Sequence, residues 1–179
     1  YRGRRVQVDA GENWLGEVNK YKPRAIVLTH GHPDHVGGLA QGAPCPVYTD
    51  ASTLEFIKKF PVDDVHTIRH RKPFELCGMR FEAFPVEHSV KCPAVGYRIE
   101  AGRAVLFYAP DVVSIRDQAR ALRGCKLFVG DGASPTRPII RKVEGKSVGH
   151  ASTRQQIGWC EEEGVLRMTV THCGSQIVK

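Results

Sequence analysis

Short apolar runs alternate along the chain with segments of helical spacing, and Gly, Pro, Asn and Asp mark the joints between them. Arg5–Asp9 reads as a strand that stops at Ala10-Gly11, and Glu12–Lys20 as a short helix. Arg24–Leu28 is almost wholly apolar, as expected of a strand covered on both faces, and it runs straight into Thr29-His30-Gly31-His32. Asp34 is expected to cap a helix reaching about Ala40, and Asp50-Ala51-Ser52 to open another reaching about Lys59. Strands follow at Arg80–Val86, Val95–Glu100 and Ala104–Tyr108, then a helix over Arg116–Leu122 and a strand over Lys126–Gly130. A helix over Ser152–Glu163 is closed by Gly164, and a last strand, Leu166–Val170, delivers Thr171-His172. No repeat, low-complexity tract or linker interrupts this order. The expectation is one α/β domain spanning residues 1–179.

The polar positions that break the pattern fall at strand ends. His30, His32, His35, His88, Asp111 and His172 all sit at or just past a predicted strand, where a rigid sheet positions loop side chains. The run His30-Gly31-His32-Pro33-Asp34-His35 places four potential ligands in six residues. Several imidazoles and a carboxylate cannot be buried cheaply without polar partners, and an exposed loop has no need of them. Gly31 is expected to let the chain turn tightly and Pro33 to stiffen the step before Asp34. Neutral imidazole with carboxylate suits Zn, Mn or Fe. His66 and His70 show no such context and read as surface residues.

Composition narrows the class. With 41% hydrophobic and 25% charged residues the chain is an ordinary globular one, which excludes disorder and fibrous repeats. No apolar run approaches the roughly 18 residues needed to cross a bilayer, so no membrane partner is expected. Six scattered cysteines without a CxxC pair read as reduced thiols, and the expected location is cytoplasmic. Cys173, although it follows His172, reads as a small packed residue before a ligand. The net charge of +7 points weakly to an anionic substrate or to nucleic acid. Arg69-His70-Arg71-Lys72 and Arg137 with Arg141-Lys142 are candidate phosphate contacts.

The H-x-H-x-D-H run resembles the hallmark of the metallo-β-lactamase superfamily, and the resemblance extends in order from about Arg5 to His172. Asp9 in VDAG is similar to the strand-end aspartate before the first helix. His88 in PVEHS is similar to the third histidine of the first metal site, Asp111 in FYAPD to the bridging aspartate, and His172 in VTHCG to the last histidine. The resemblance implies an αββα sandwich, here short of the family pattern at both termini and either trimmed or closed by a partner such as a second copy of the chain. It implies two divalent metal ions, zinc first with Mn or Fe as alternatives. His30, His32 and His88 would hold one, Asp34, His35 and His172 the other, with Asp111 shared. It further implies hydrolysis by a metal-bridging hydroxide, which Asp34 could orient.

Two more segments, Gly149-His150-Ala151-Ser152-Thr153 and Val129-Gly130-Asp131-Gly132-Ala133, resemble the branch holding transfer-RNA 3′-processing endonucleases and the cyclic phosphodiesterases of phosphonate metabolism. There a histidine at the place of His150 contacts the scissile phosphate and protonates the leaving oxygen, and an acid at the place of Asp131 orients it. Ser152 is the expected helix cap in either case. The stretch between His88 and Asp111 holds two strands and a turn but not the long arm of the transfer-RNA nucleases. The expected substrate is therefore a small phosphodiester, a cyclic nucleotide or sugar phosphate. The alternatives are a thioester or lactone hydrolase on the same site, a nuclease on RNA or DNA, and a non-catalytic metal-binding member.

Overall fold

A computed structural model describes residues 1–174. Four short strands, β1 (Val6–Val8), β2 (Ala25–Val27), β3 (Val47–Thr49) and β4 (Val65–Thr67), pair in chain order as an all-parallel sheet. The second sheet contains β5 (Phe74–Leu76), β6 (Met79–Glu87), β7 (Ala94–Ala101), β8 (Ala104–Tyr108), β9 (Ser114–Ile115), β10 (Leu127–Asp131) and β13 (Met168–Thr171). Its order is β13-β10-β8-β7-β6-β5, with β9 added to the far end of β6. A separate antiparallel hairpin is formed by β11 (Ile139–Val143) and β12 (Lys146–His150).

The side-chain alternation within the strands builds the layers. Ala25 and Val27 of β2 meet Phe81, Ala83, Val95, Tyr97 and Ile99 of β6 and β7 in a core between the two sheets. The opposite faces carry the helices. Ile26, Leu28 and Val47 pack on Val36, Leu39 and Ile57, from α1 (Pro33–Val36), the 3-10 turn after it, and α2 (Ala51–Ile57). Phe84, Phe107 and Phe128 pack on Leu122 of α3 (Gln118–Leu122) and Cys160 of α4 (Thr153–Glu163). Helix, sheet, sheet and helix are thus all present within Val6–Thr171, giving the expected αββα architecture.

Several local expectations are corrected. Glu12–Lys20 forms only a 3-10 turn, Glu12–Trp14, because Gly16 takes a left-handed φ of 75° that no α-helix carries. Asp34 does not cap α1; it lies inside the first turn, and the preceding residue His32 makes no side-chain cap bond. α3 starts later than Arg116, since the Arg116 N–H is spent on Pro85 O and Asp117 is left-handed. The three-residue strands β3, β4 and β5, and the polar hairpin, carry too little apolar alternation to be read from sequence. Ser152 caps α4 as expected, in a reciprocal box with Gln155. All six cysteines are free. Among the described residues no helix is long and apolar enough to cross a membrane.

Asp50 is the α2 cap the sequence suggests, and it has a second task. Its buried carboxylate accepts from the Thr53 N–H at 2.8 Å and from His70 Nε2 at 2.8 Å, joining α2 to the segment after β4. Burial alone would raise its pKa, but His70 and Thr53 outweigh it and hold the carboxyl below its ordinary value. A depressed carboxylate stabilises the fold above its unfolded pKa of about 3.9 and loses that contribution as the pH falls. Asp50→Ala should therefore lower unfolding free energy by about 1–2 kcal/mol at pH 7. Urea denaturation should show the gap to wild type closing in acid, and an equal gap at pH 7 and at pH values below the carboxylate range would refute the assignment.

Candidate metal centre

Six chain segments end at one edge of the sandwich. β2 leads through Thr29 to His30, β6 to His88, β8 to Asp111 and β13 to His172, while β10 and β12 terminate on Asp131 and His150 themselves. α1 presents Asp34 and His35 from its single turn. The structure thus brings together the seven nominated metal ligands with His150 and Asp131. Three overlapping groups have ligand atoms close enough to share an ion: His30, His32 and His88; His30, His35 and Asp111; and Asp34, His35 and His172. A fourth, Asp111, Asp131, His150 and His172, adjoins them. Cys173 is exposed and joins none of these groups.

Within this cluster acceptors crowd one another. His32 Nδ1 lies 2.9 Å from His30 Nε2 and 3.2 Å from His88 Nε2, yet one ring nitrogen cannot carry a proton for both. Asp111, almost fully buried, sits below four imidazoles. Its Oδ2 is 2.7 Å from His35 Nε2 and 3.3 Å from His30 Nε2, and its Oδ1 is 3.3 Å from His172 Nδ1 and 3.6 Å from His150 Nδ1. Despite these approaches, His35 Nε2 and Asp111 Oδ1 are buried without an aligned hydrogen bond. Each such orphan costs about 1–3 kcal/mol. A divalent cation between nitrogens and carboxylate oxygens removes that cost, so the residues present fit a metal.

Electrostatics agrees. Burial, with His35 as the next cause, pushes His30 well below the ordinary imidazole value. Burial also lowers His32 and His88. All three are held neutral, as ligands must be. His35 is the opposite case: burial lowers it, but Asp111 and Asp9 prevail and raise it to about 10. For Asp111 burial works upward, and the neighbouring His35 overrides it and keeps the carboxyl well below the usual range. In the metal-free chain a proton on His35 therefore supplies the positive charge that two buried carboxylates require.

A supporting layer orients these rings. Asp9 accepts from the Thr29 N–H at 2.7 Å and from its hydroxyl, and approaches His35 Nδ1 at 2.9 Å. Thr29 Oγ1 in turn contacts His30 Nδ1 at 3.0 Å. His88 Nδ1 donates to the Gly149 carbonyl at 3.0 Å, which leaves Nε2 facing the cluster. Asp9 and His172 adopt left-handed φ values of 61° and 54°, strain of the kind that collects at sites. Gly31 is needed for a reason other than the tight turn expected of it. Its φ is not left-handed, and a Cβ there would lie 2.3 Å from the Phe56 ring.

His150 and Asp131 form a discrete pair. Asp131 is fully buried, and its Oδ2 takes His150 Nδ1 at 2.8 Å and the Val112 N–H at 3.0 Å, while Oδ1 takes the Ala133 N–H. Gln156 of α4 grips the Asp131 backbone through both its amide atoms at 2.8 Å. The hydrogen bond to Asp131 raises the His150 pKa against burial. Sequence reasoning missed Thr29, the Gly149 carbonyl and Gln156; only the amphipathic ambiguity of a glutamine on the inner face of α4 hinted at the last.

A cavity of about 730 Å³ opens over the cluster between the Ser89–Lys91 loop and the β11–β12 hairpin, with His32, His88, His150 and His172 in its floor. The basic residues of the sequence divide unequally around it. Arg141 and Lys91 line it. Arg71 does not, being bound to Asp117 at 2.9 Å and Glu82 at 3.5 Å and stacked on Phe84, so the phosphate contact considered for it is corrected. His66 and His70 are exposed, as expected.

Known proteins share this arrangement of layers. The metallo-beta-lactamase fold protein YhfI from Bacillus subtilis superposes with a TM-score of 0.74 at 18% identity, over 94% of this chain and 73% of its own. A diphosphatase from the PhnP family superposes with a TM-score of 0.70 at 24% identity, over 97% and 70%. Ribonuclease Z of Mycobacterium bovis (strain BCG / Pasteur 1173P2) is 24% identical over 187 residues, 83% of this chain and 66% of that protein, so the chain spans about two thirds of its length. Residues 4–173 match the sequence model of the Beta-lactamase superfamily domain, and the chain belongs to that superfamily.

Proposed function

We propose that the chain is a metal-dependent phosphodiesterase acting on a small phosphodiester, a cyclic nucleotide or sugar phosphate. The observation that carries this reading is the His150–Asp131 pair, 2.8 Å long, set beside overlapping groups of ligand atoms that could hold a metal ion. His30, His32 and His88 would hold one, Asp34, His35 and His172 the other, and Asp111 would serve both, with zinc the first candidate and Mn or Fe acceptable to the same donors. When bound, two such ions supply a water ionised near neutral pH and neutralise nonbridging phosphate oxygens.

The remaining work falls to the chain itself. His150 has Nδ1 committed to Asp131, so Nε2 is the ring nitrogen left to face the cavity. Asp131 holds the proton-bearing form of the ring, and His150 passes that proton to the departing alkoxide oxygen. Asp34 is kept ionised: burial would raise its carboxyl, but the 2.7 Å bond to His172 prevails. That leaves its carboxylate able to accept a proton from the attacking water. A thioester hydrolase would have less use for this acid, because a thiolate departs without needing a proton.

The similarity to a ribonuclease Z and the charge of +7 favour a nuclease as the second reading. Metal-loaded protein offered a cyclic nucleotide, bis(p-nitrophenyl) phosphate, a lactone, a thioester and a precursor transfer RNA distinguishes these cases. Preference for the small phosphodiesters is expected. Faster lactone or thioester turnover, unaffected by His150→Ala, would refute the reading. Salt-sensitive cleavage of RNA to defined ends would replace it with the nuclease.

A further inference from the structure

Gln156 is wholly buried on the inner face of α4, yet it joins none of the ligand groups and does not line the cavity above them. A polar side chain at that depth is costly unless its bonds are made. Its Oε1 accepts the Asp131 N–H at 2.8 Å. Its Nε2 donates to the Asp131 carbonyl at 2.8 Å and to the Ala151 carbonyl at 3.5 Å. One amide therefore holds the backbone of Asp131 and the residue that follows His150.

The end of β10 explains why such a group is needed. β10 pairs with β13 through Asp131, but with β8 only as far as Val129, whose carbonyl takes the Ala109 N–H. Backbone groups alternate sides along a strand, so Asp131 turns its own N–H and C=O to the side where β8 has ended. Buried peptide groups require partners, and the Gln156 amide stands in for the missing strand. Gly130 makes the room. A Cβ on it would overlap Gln156 Oε1, and its φ is not left-handed, so the glycine serves space and not conformation. The same end carries the Asp131 carboxylate, which takes His150 Nδ1 and the Val112 N–H, while Val112 O takes the Ala151 N–H. The loop is closed on both sides of the acid pair.

We infer that Gln156 is a positioning residue that fixes His150 and Asp131 relative to each other, with Gly130 as the gap that admits it. This deepens the phosphodiesterase reading and rests on it. Gln156 touches neither the substrate nor the metal ligands; it acts through Asp131. Without the amide, the last peptide of β10 is held from the β13 side alone, and the carboxylate that orients the His150 ring loses its fixed origin.

Turnover of two substrates by the metal-loaded chain tests this. Gln156→Met removes all three bonds at similar volume. Its kcat for adenosine 2′,3′-cyclic phosphate, which expels an alkoxide, should fall about tenfold further than its kcat for bis(p-nitrophenyl) phosphate, the size of one lost buried hydrogen bond. Metal content should not change. Gly130→Ala should reproduce the split by displacing the amide, whereas in a Gln156→Ala background the same methyl should alter it less than about twofold. Cys160→Ala opens a cavity in the same helix–sheet contact and should lower the melting temperature without splitting the substrates. Equal losses on both substrates in Gln156→Met, or a matching split in Cys160→Ala, would overturn the proposal. The His150 Nδ1 proton resonance, identified by its absence from His150→Ala, reads the pair without turnover. A wild type that cleaves neither diester loses the phosphodiesterase reading, and the resonance then decides for Gln156 alone. Its loss in Gln156→Met but not in Cys160→Ala sustains the positioning role; its presence in both overturns it.

Discussion

Asp111→Asn is expected to leave a folded protein that no longer retains metal and has lost hydrolysis. The substitution is isosteric, so it changes charge and acceptor capacity but not volume. Asp111 approaches four imidazoles between 2.7 and 3.6 Å, and it is buried where the other candidate carboxylate ligand, Asp34, is exposed. An amide in its place offers one neutral acceptor oxygen and removes the negative charge that a bound cation, or the proton on His35, would require. Even partners that only orient a ligand cost about 10–100-fold in metal affinity when removed, and a shared anionic ligand should cost more than about 100-fold. Metal content after dialysis against a weak chelator, measured with the melting curve of the metal-free form, reads the effect directly. The control is Asp64→Asn, whose partner His66 is an exposed pair at 2.9 Å remote from the cluster; it should change neither quantity. An Asp111→Asn protein that keeps wild-type metal content would show that the crowding of rings has another purpose.

The consecutive cluster was legible because nothing else accommodates it. Four ligating side chains in His30–His35 are incompatible with either face of a buried strand, and this alone identifies a site. His88, Asp111 and His172 were legible from strand ends combined with the family resemblance, since apolar runs such as Phe81–Val86 and Val105–Tyr108 mark where a sheet delivers its loops. What stayed hidden depends on pairing between distant segments. Asp9 meets His35 and Thr29 across 26 and 20 residues of chain, and no local rule connects them. Arg141 and Lys142 look interchangeable in the sequence, yet the hairpin register sends one to the cavity and the other to Ser147. Gly31 was assigned to the right place for the wrong cause, because the Phe56 ring that excludes a Cβ comes from another helix. The failed helix at Glu12–Lys20 has a simpler origin: its spacing is helical, but Gly16 and the turns around it are compatible with a loop that lets Gly11 and Gly38 pass closely beside α1.

His150→Ala should slow the reaction by an amount that depends on what departs. A general acid contributes about 10²–10⁴-fold when the leaving oxygen needs a proton. Cyclic nucleotides and sugar diesters expel an alkoxide, so the full loss is expected there. Bis(p-nitrophenyl) phosphate expels a phenolate that is stable unprotonated, and its loss should be under about tenfold. A structural role predicts a different pattern. His150 ends β12 two residues before the Ser152 cap, and the neighbouring Ala151 N–H bonds Val112 O, so a merely structural histidine would disturb the loop bearing Asp111 and slow both substrates alike. Asp131 acts through His150 and is a positioning residue. Asp131→Asn should show the same dependence on leaving group with a smaller amplitude, because an amide oxygen still accepts from His150 Nδ1 but stabilises the protonated ring less. The measurement is the ratio of kcat values for the two substrate types in each variant, with metal content determined on the same samples. Equal losses on both substrates in His150→Ala at full metal occupancy would remove the proton from His150 and leave the departing oxygen to be protonated by solvent.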